Sequence, residues 1–315
     1  MATKPKILVQ GKFPAAFIAA LAERFELVLH DPAIPFADVK GWDASIQGLV
    51  SWARYTVTAE MMDRLPGLEI LAGFGVGYDR FDLKAAKMRG VVVTNTPDVL
   101  TDDVADLAIG LAIATLRRIV ALDRMVRTGK WAAGESPPLA RKVAGKRLGI
   151  VGLGRIGRAI ARRAEGFDMA IAYTGPRGYK DQPYRYVADL AQLARESDIL
   201  VLACRADSSN RHMIGAEVLT ALGPKGILVN IARGSLVDEA ALVTALKNGT
   251  LGGAGLDVYA DEPRVAPDLF QLDNVVLMPH VGSATEETRQ AMADLVIGNL
   301  ESHFAGRGPL TPVSI

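Results

Sequence analysis

Arg233, Glu262 and His280 each follow an apolar, strand-like run in the C-terminal half of the chain. Their types suit one reaction. Adding a hydride to a carbonyl requires a cation for the substrate anion, an acid for the forming alkoxide, and a partner that tunes the acid. Arg233, in the run AsnIleAlaArgGlySer, offers charge-assisted and bidentate bonds to a carboxylate. His280, after ValValLeuMetPro, is the candidate acid, and Glu262, before Pro263, is the candidate partner. A carboxylate beside an imidazole favours its charged form and raises its pKa above the usual value of about 6.5. Singly, each residue also reads as a surface charge or a strand terminator. Together they point to one site. Chemistry based on a metal is not expected, because His30, His212, His280 and His303 are scattered without ligand spacing.

A cofactor site is written in the residues GIVGLGRIG from Gly149 to Gly157. An apolar strand runs into Gly152-Leu153-Gly154-Arg155-Ile156-Gly157, the spacing GxGxxG, and a helix from Ile156 to Phe167 is expected to follow. The first glycine permits the tight turn, the second lets a pyrophosphate approach, and the third lets helix and strand pack closely. The helix then directs its positive end at the phosphates. A second strand, Met169 to Tyr173, leads to Thr174-Gly175-Pro176-Arg177, with Lys180 nearby. An NAD site usually carries Asp or Glu there for the ribose 2′-OH. Small polar residues with an arginine instead welcome a 2′-phosphate. NADP is therefore favoured, with NAD as the alternative.

These residues need elements to hold them. The chain has 315 residues, 50% hydrophobic and 23% charged, which is length for about two domains. Its net charge of +1 gives no field for nucleic acid or an anionic membrane. The apolar tract Leu107 to Leu116 is too short to span a bilayer and reads as a fully buried helix, closed by Arg117 and Arg118. The single cysteine, Cys204, reads as a buried strand residue, and the absence of disulfides and of a signal peptide suggests a cytoplasmic protein. Strand-like runs and helical patterns alternate throughout, which predicts parallel sheets covered by helices. A first α/β unit of about 95 residues precedes a long helical region expected from Thr101 to about Lys130. The glycine-rich turn follows, and a last amphipathic helix from Ala284 to Phe304 returns to cap the first unit. The expected fold is thus α/β, with two Rossmann- or flavodoxin-like domains. The dinucleotide domain, residues 100–283, would be inserted into a split substrate domain, 1–99 plus 284–315, with the active site in the cleft between them. Ser51 to Arg54 and Trp131 to Ala140 are the loops expected to set substrate size.

The chain resembles the D-isomer-specific 2-hydroxyacid dehydrogenase family, and within it the glyoxylate/hydroxypyruvate and hydroxyphenylpyruvate reductase branch. The resemblance rests on GFGVGYD at Gly73 to Asp79, NTPDVLTDDVADLAIGL at Asn95 to Leu111, and GLGRIG at Gly152 to Gly157. It continues in NIARGSLVDE at Asn230 to Glu239, GLDVYADEP at Gly255 to Pro263, and PHVGSAT at Pro279 to Thr285. It implies that Arg233 grips the substrate carboxylate and polarises the 2-oxo group, that His280 is the general acid, and that Glu262 holds its imidazole. Val76 and Gly77 would offer backbone N–H groups to the carboxylate, with Ser283 beside the substrate. Thr101, Ile231, Asp257 and Gly282 would lie along the cofactor, with Thr174, Gly175 and Arg177 at its adenosine end. A homodimer built largely from the inserted domain is implied in the same way. The activity implied is NADPH-dependent reduction of small 2-oxo acids to D-2-hydroxy acids. Rival readings are a 3-phosphoglycerate-type or other NAD-dependent dehydrogenase and a dinucleotide-sensing corepressor. The formate-oxidising branch pairs Gln with its His, where this chain has Glu262.

Overall fold

The computed structural model describes residues 4–39 and 42–314. They form two compact units, one of residues up to Leu100 together with Ala284 onward, the other Thr101–Ser283. In the first unit the chain runs through β1 (Lys6–Gln10), α1 (Ala15–Arg24), β2 (Glu26–His30), β3 (Ile46–Trp52), α2 (Ala59–Asp63), β4 (Ile70–Phe74), α3 (Leu83–Met88) and β5 (Val92–Thr94). All its strand pairs are parallel, in the order β2-β1-β3-β4-β5. All five residues of β4 are buried, the unbroken apolar run of a strand covered on both faces. Thr58 and Asp82 cap α2 and α3 by accepting N–H bonds from Met61 and Ala85.

The second unit holds α4 (Thr101–Leu116), α5 (Ile119–Arg127), β6 (Arg147–Val151), α6 (Arg155–Glu165), β7 (Ala170–Thr174), β8 (Arg185–Tyr186), α7 (Leu190–Arg195), β9 (Ile199–Leu202), α8 (Ala216–Leu222), β10 (Ile227–Asn230), α9 (Glu239–Lys247), β11 (Gly253–Leu256) and β12 (Val275–Leu277). Its sheet is parallel, in the order β12-β11-β10-β9-β6-β7-β8. Glycines in β11 let α4 lie close: a Cβ on Gly255 would stand 2.9 Å from the Leu111 Cβ. The chain ends with α10 (Glu286–Phe304), capped by Thr285 and packed against β4 in the first unit. The fold is α/β with two parallel sheets, the second unit's residues falling in sequence between the two segments of the first.

Four details differ from the sequence reading. The helical region from Thr101 is two helices, because Arg118 adopts left-handed backbone, φ 54°, and ends the hydrogen-bond ladder. The apolar stripe stops there too: α4 buries residues against β10 and β11, whereas α5 buries none. The tract Leu107 to Leu116 is not buried all round, since Gly110 is exposed and Leu107, Ile113 and Ala114 only partly covered. Cys204 stands beyond the end of β9 and is only partly buried, where burial still pushes its thiol up to about 11. It is therefore a protonated, unreactive thiol near neutral pH. Finally, β8 has no counterpart in the sequence reading, because both its residues are exposed and no apolar run marks it.

Candidate active site

The turns after β10, β11 and β12, three neighbouring strands, carry Arg233, Glu262 and His280. Buried Asn230 at the end of β10 shapes the first turn: its side-chain N–H donates to the Arg233 carbonyl (2.9 Å), and its Oδ1 accepts from the Ala232 N–H (3.0 Å). The Arg233 guanidinium donates to the Ala232 carbonyl at 2.8 Å. Gly234 must be glycine, because a Cβ there would stand 1.9 Å from the Tyr259 carbonyl.

His280 sits in left-handed backbone, φ 56°, just past β12. Its Nδ1 lies 2.6 Å from Glu262 Oε2, and the other Glu262 oxygen accepts the Tyr259 N–H at 3.1 Å. A carboxylate on Nδ1 fixes the ring so that Nε2 faces outward. Among the described residues nothing hydrogen-bonds Nε2, and the side chain is 34% exposed. Burial alone would raise the Glu262 pKa. The His280 hydrogen bond and charge, the Tyr259 N–H and the Arg233 charge outweigh it and hold the carboxyl below its ordinary range. Glu262 is thus an anion throughout the neutral range. This interaction stabilises the fold above the ordinary carboxylate range and is lost as pH falls through the depressed value.

Asp257, 1% exposed after β11, turns both oxygens to the backbone, accepting from Val281 N–H (2.7 Å) and Gly282 N–H (2.9 Å). Burial raises its pKa despite those donors. Its visible work is to hold the turn that carries His280. Tyr259 does the same from below. Its hydroxyl lies 2.9 Å from the Met278 carbonyl and 3.2 Å from that of Leu256, tying β12 to β11. Neither Asn230 nor Tyr259 stands out as a site residue in the sequence. The only available signal is a polar group inside an apolar run.

The glycine-rich turn has the shape a pyrophosphate requires. Gly152, φ +94°, would place a Cβ 2.6 Å from Cys204 Cα, and a Cβ on Gly157 would stand 2.1 Å from the Gly152 carbonyl. Gly154 has nothing within 4 Å of its own Cβ position and precedes α6 with no side-chain cap, so backbone lies open at the helix N-terminus. Arg155 and Ile156 open that helix. At the end of β7, Thr174 is buried with its hydroxyl donating to the Ala188 carbonyl at 3.3 Å, and Gly175 is open on its Cβ side. Arg177 is exposed, its guanidinium 5.8 Å from the Tyr179 ring centre. The nearest following carboxylate, Asp181, pairs with Arg158 at 3.3 Å. Thr101 is the first residue of α4, Ile231 is buried after β10, and Ser283 is half-buried at the end of this unit. Val76 and Gly77 lie in the first unit, after β4. There Asn95 donates to the Val76 carbonyl (2.9 Å), and Thr96 Oγ1 accepts the Gly75 N–H (3.1 Å).

A parallel sheet with an uncapped glycine turn and an acid–base pair at its carboxyl edge defines a dinucleotide-binding oxidoreductase. Residues 109–282 match the model of the D-isomer specific 2-hydroxyacid dehydrogenase NAD binding domain. The chain is 55% identical over 269 residues to a hydroxyphenylpyruvate reductase of Plectranthus scutellarioides, covering 85% of this chain and 86% of that one. It is 42% identical to a glyoxylate reductase of Pyrococcus horikoshii over 99% of this chain and 96% of the other. It superimposes with a TM-score of 0.94, at 45% identity and over 99% and 97% of the two chains, on a Sinorhizobium meliloti structure. That structure is an NADPH-dependent glyoxylate/hydroxypyruvate reductase in complex with NADP and malonate. The chain belongs to the D-isomer specific 2-hydroxyacid dehydrogenase family, and its second unit is an NAD(P)-binding domain. Among the described residues no helix is long and apolar enough to cross a membrane.

Proposed function

We propose that the chain reduces small 2-oxo acids, with glyoxylate and hydroxypyruvate first and hydroxyphenylpyruvate next, to D-2-hydroxy acids with NADPH. The observation that carries this reading is the His280–Glu262 pair, a 2.6 Å contact that leaves Nε2 without a protein partner among the described residues. Bound NADPH supplies a hydride to the carbonyl carbon. Arg233 holds the substrate carboxylate and draws charge from the 2-oxo group. The His280 Nε2–H gives its proton to the oxygen as the alkoxide forms, while anionic Glu262 stabilises the imidazolium and keeps Nδ1 as its donor. Ser283 lies in the same unit as Arg233 and His280, and Val76 and Gly77, in the first unit, carry backbone N–H groups of the kind a carboxylate accepts. Thr101, Ile231, Asp257 and Gly282 meet the nicotinamide end of the cofactor. The turn from Gly152 to Gly157 holds the pyrophosphate.

Replacing Glu262 by glutamine removes a charge-assisted bond worth about 1.5–3 kcal/mol. We expect kcat to fall roughly ten- to hundred-fold. A variant that keeps the parent's kcat would dismiss Glu262 as the partner of His280.

For the cofactor, the reading rests on the missing carboxylate at Thr174-Gly175 and on Arg177. The test is a steady-state panel of five 2-oxo acids followed at 340 nm with NADPH and NADH. It should show NADPH ahead by ten-fold or more, which is about 1.4 kcal/mol, and Arg177→Ala should erase most of that margin. An NADH preference, or a margin untouched by the substitution, overturns the assignment; no turnover of any acid overturns the function.

A homodimer is proposed as well, supported by apolar side chains left exposed on and after α5: Ile119, Val120, Val126, Trp131 and Leu139. Exposed large apolar side chains gathered in one stretch of chain suit a surface that a second copy covers. Light scattering at micromolar concentration should give the mass of two chains, and a single-chain mass rejects the proposal.

A further inference from the structure

At the carboxyl edge of the first unit's sheet, two arginines share one indole. The Arg54 guanidinium lies 4.9 Å from the Trp52 ring centre, and that of Arg289 lies 4.7 Å from it. Trp52 is a fixed platform: Phe13 stacks on it at 5.0 Å, and its indole N–H donates to the Lys12 carbonyl at 3.2 Å. Among the described residues neither arginine makes an ion pair, and the polar contact Arg289 has is the Met292 sulfur at 4.0 Å. Two guanidiniums on one ring gain cation–π attraction but repel each other. Arg289 is also half-buried in the first turn of α10, where the helix dipole disfavours a cation. Burial, and then the Arg54 charge, lower its pKa. Each of these costs is relieved by an anion.

The position in the fold points the same way. In the order β2-β1-β3-β4-β5 the chain leaves β1 toward one edge and β3 toward the other. Ligands of such sheets bind outside the carboxyl ends of the strands at that divergence. Residues Gly11 to Phe13 follow β1, and Trp52 to Tyr55 end and follow β3. Gly11, φ +123°, packs so closely that a Cβ would stand 2.7 Å from the Tyr55 ring and 2.8 Å from Trp52. Beneath them, Ser51 donates to Gln10 at 2.8 Å, a buried side-chain bond joining the two strand ends.

We infer that Arg54 and Arg289, held over Trp52, form a binding site for a carboxylate or phosphate group. The group is either the distal anion of a 2-oxo acid, which rests on the reductase reading, or a free ion, which does not.

Calorimetric titration of inorganic phosphate into the enzyme saturated with NADP tests the site itself. Binding should weaken at least ten-fold in Arg54→Met and in Arg289→Met, and less in Arg54→Lys. Arg54 is exposed, so its variants test the site without disturbing the core. No phosphate binding by the parent, or equal binding by parent and both Met variants, overturns the inference. The source is separated by the ratio of kcat/KM for oxaloacetate, which carries a second carboxylate, to that for glyoxylate. A ten-fold fall of the ratio in the variants supports the site and assigns it to substrate. An unchanged ratio with phosphate binding lost supports it and assigns it to a free ion. A parent that binds phosphate here yet reduces neither acid leaves the site standing and removes the reductase reading alone.

Discussion

Arg233→Ala should lower kcat/KM for glyoxylate by about 10²–10⁴ through a raised KM and a lowered kcat together. The estimate assumes two charge-assisted bonds to the substrate, each about 1.5–3 kcal/mol, at roughly 1.4 kcal/mol per factor of ten. Both constants should move, because in the proposed role the guanidinium grips the carboxylate in the ground state and draws on the 2-oxo oxygen as charge builds there. Arg233→Lys should recover only part of the loss, since an ammonium cannot reproduce the planar fork. The backbone of this turn is held by Asn230 and by the close approach of Gly234 to Tyr259, so removing the side chain leaves the loop in place. An unchanged KM across the panel of 2-oxo acids would take Arg233 out of the site.

His280→Asn removes the proposed proton donor and should cost about 10²–10⁴ in kcat, with KM little altered. Asparagine is the right replacement, because it tolerates the left-handed backbone that His280 adopts, φ 56°. The alkaline limb of the reduction profile should vanish with the imidazole. Fluorescence titration with NADPH provides the control. The Asp257 bonds to the Val281 and Gly282 N–H groups do not involve the His280 side chain, so dinucleotide affinity should hold. A variant that keeps both its rate and its alkaline limb would assign the proton to another group.

What the sequence reveals is what its periodicity encodes. The glycine spacing from Gly152 to Gly157 is legible as a motif, and its first and last positions exclude a side chain, seen in the contacts a Cβ would make with Cys204 and with the Gly152 carbonyl. Arg233, Glu262 and His280 are legible as polar residues closing apolar runs. Long-range satisfaction of the backbone is not legible. Asn230 and Tyr259 work by meeting carbonyls and N–H groups that only the folded sheet brings near, 19 residues away for Tyr259 and Met278. The break at Arg118 is hidden for a related reason: helix propensity runs on, while the surface that α4 packs against does not. The two cations over Trp52 are 235 positions apart in the chain, so no local motif announces them.

The three residues assigned to the chemistry all hang from adjacent strands of one unit, braced by Tyr259 and Asp257. The backbone at Val76 and Gly77 and the side chain of Arg54 belong to the other. The residues proposed for proton delivery and for acid selection thus belong to separate units of the chain. On that reading, substitutions after β3 or β4 should change which acid is accepted and leave the imidazole–carboxylate pair of the other unit untouched.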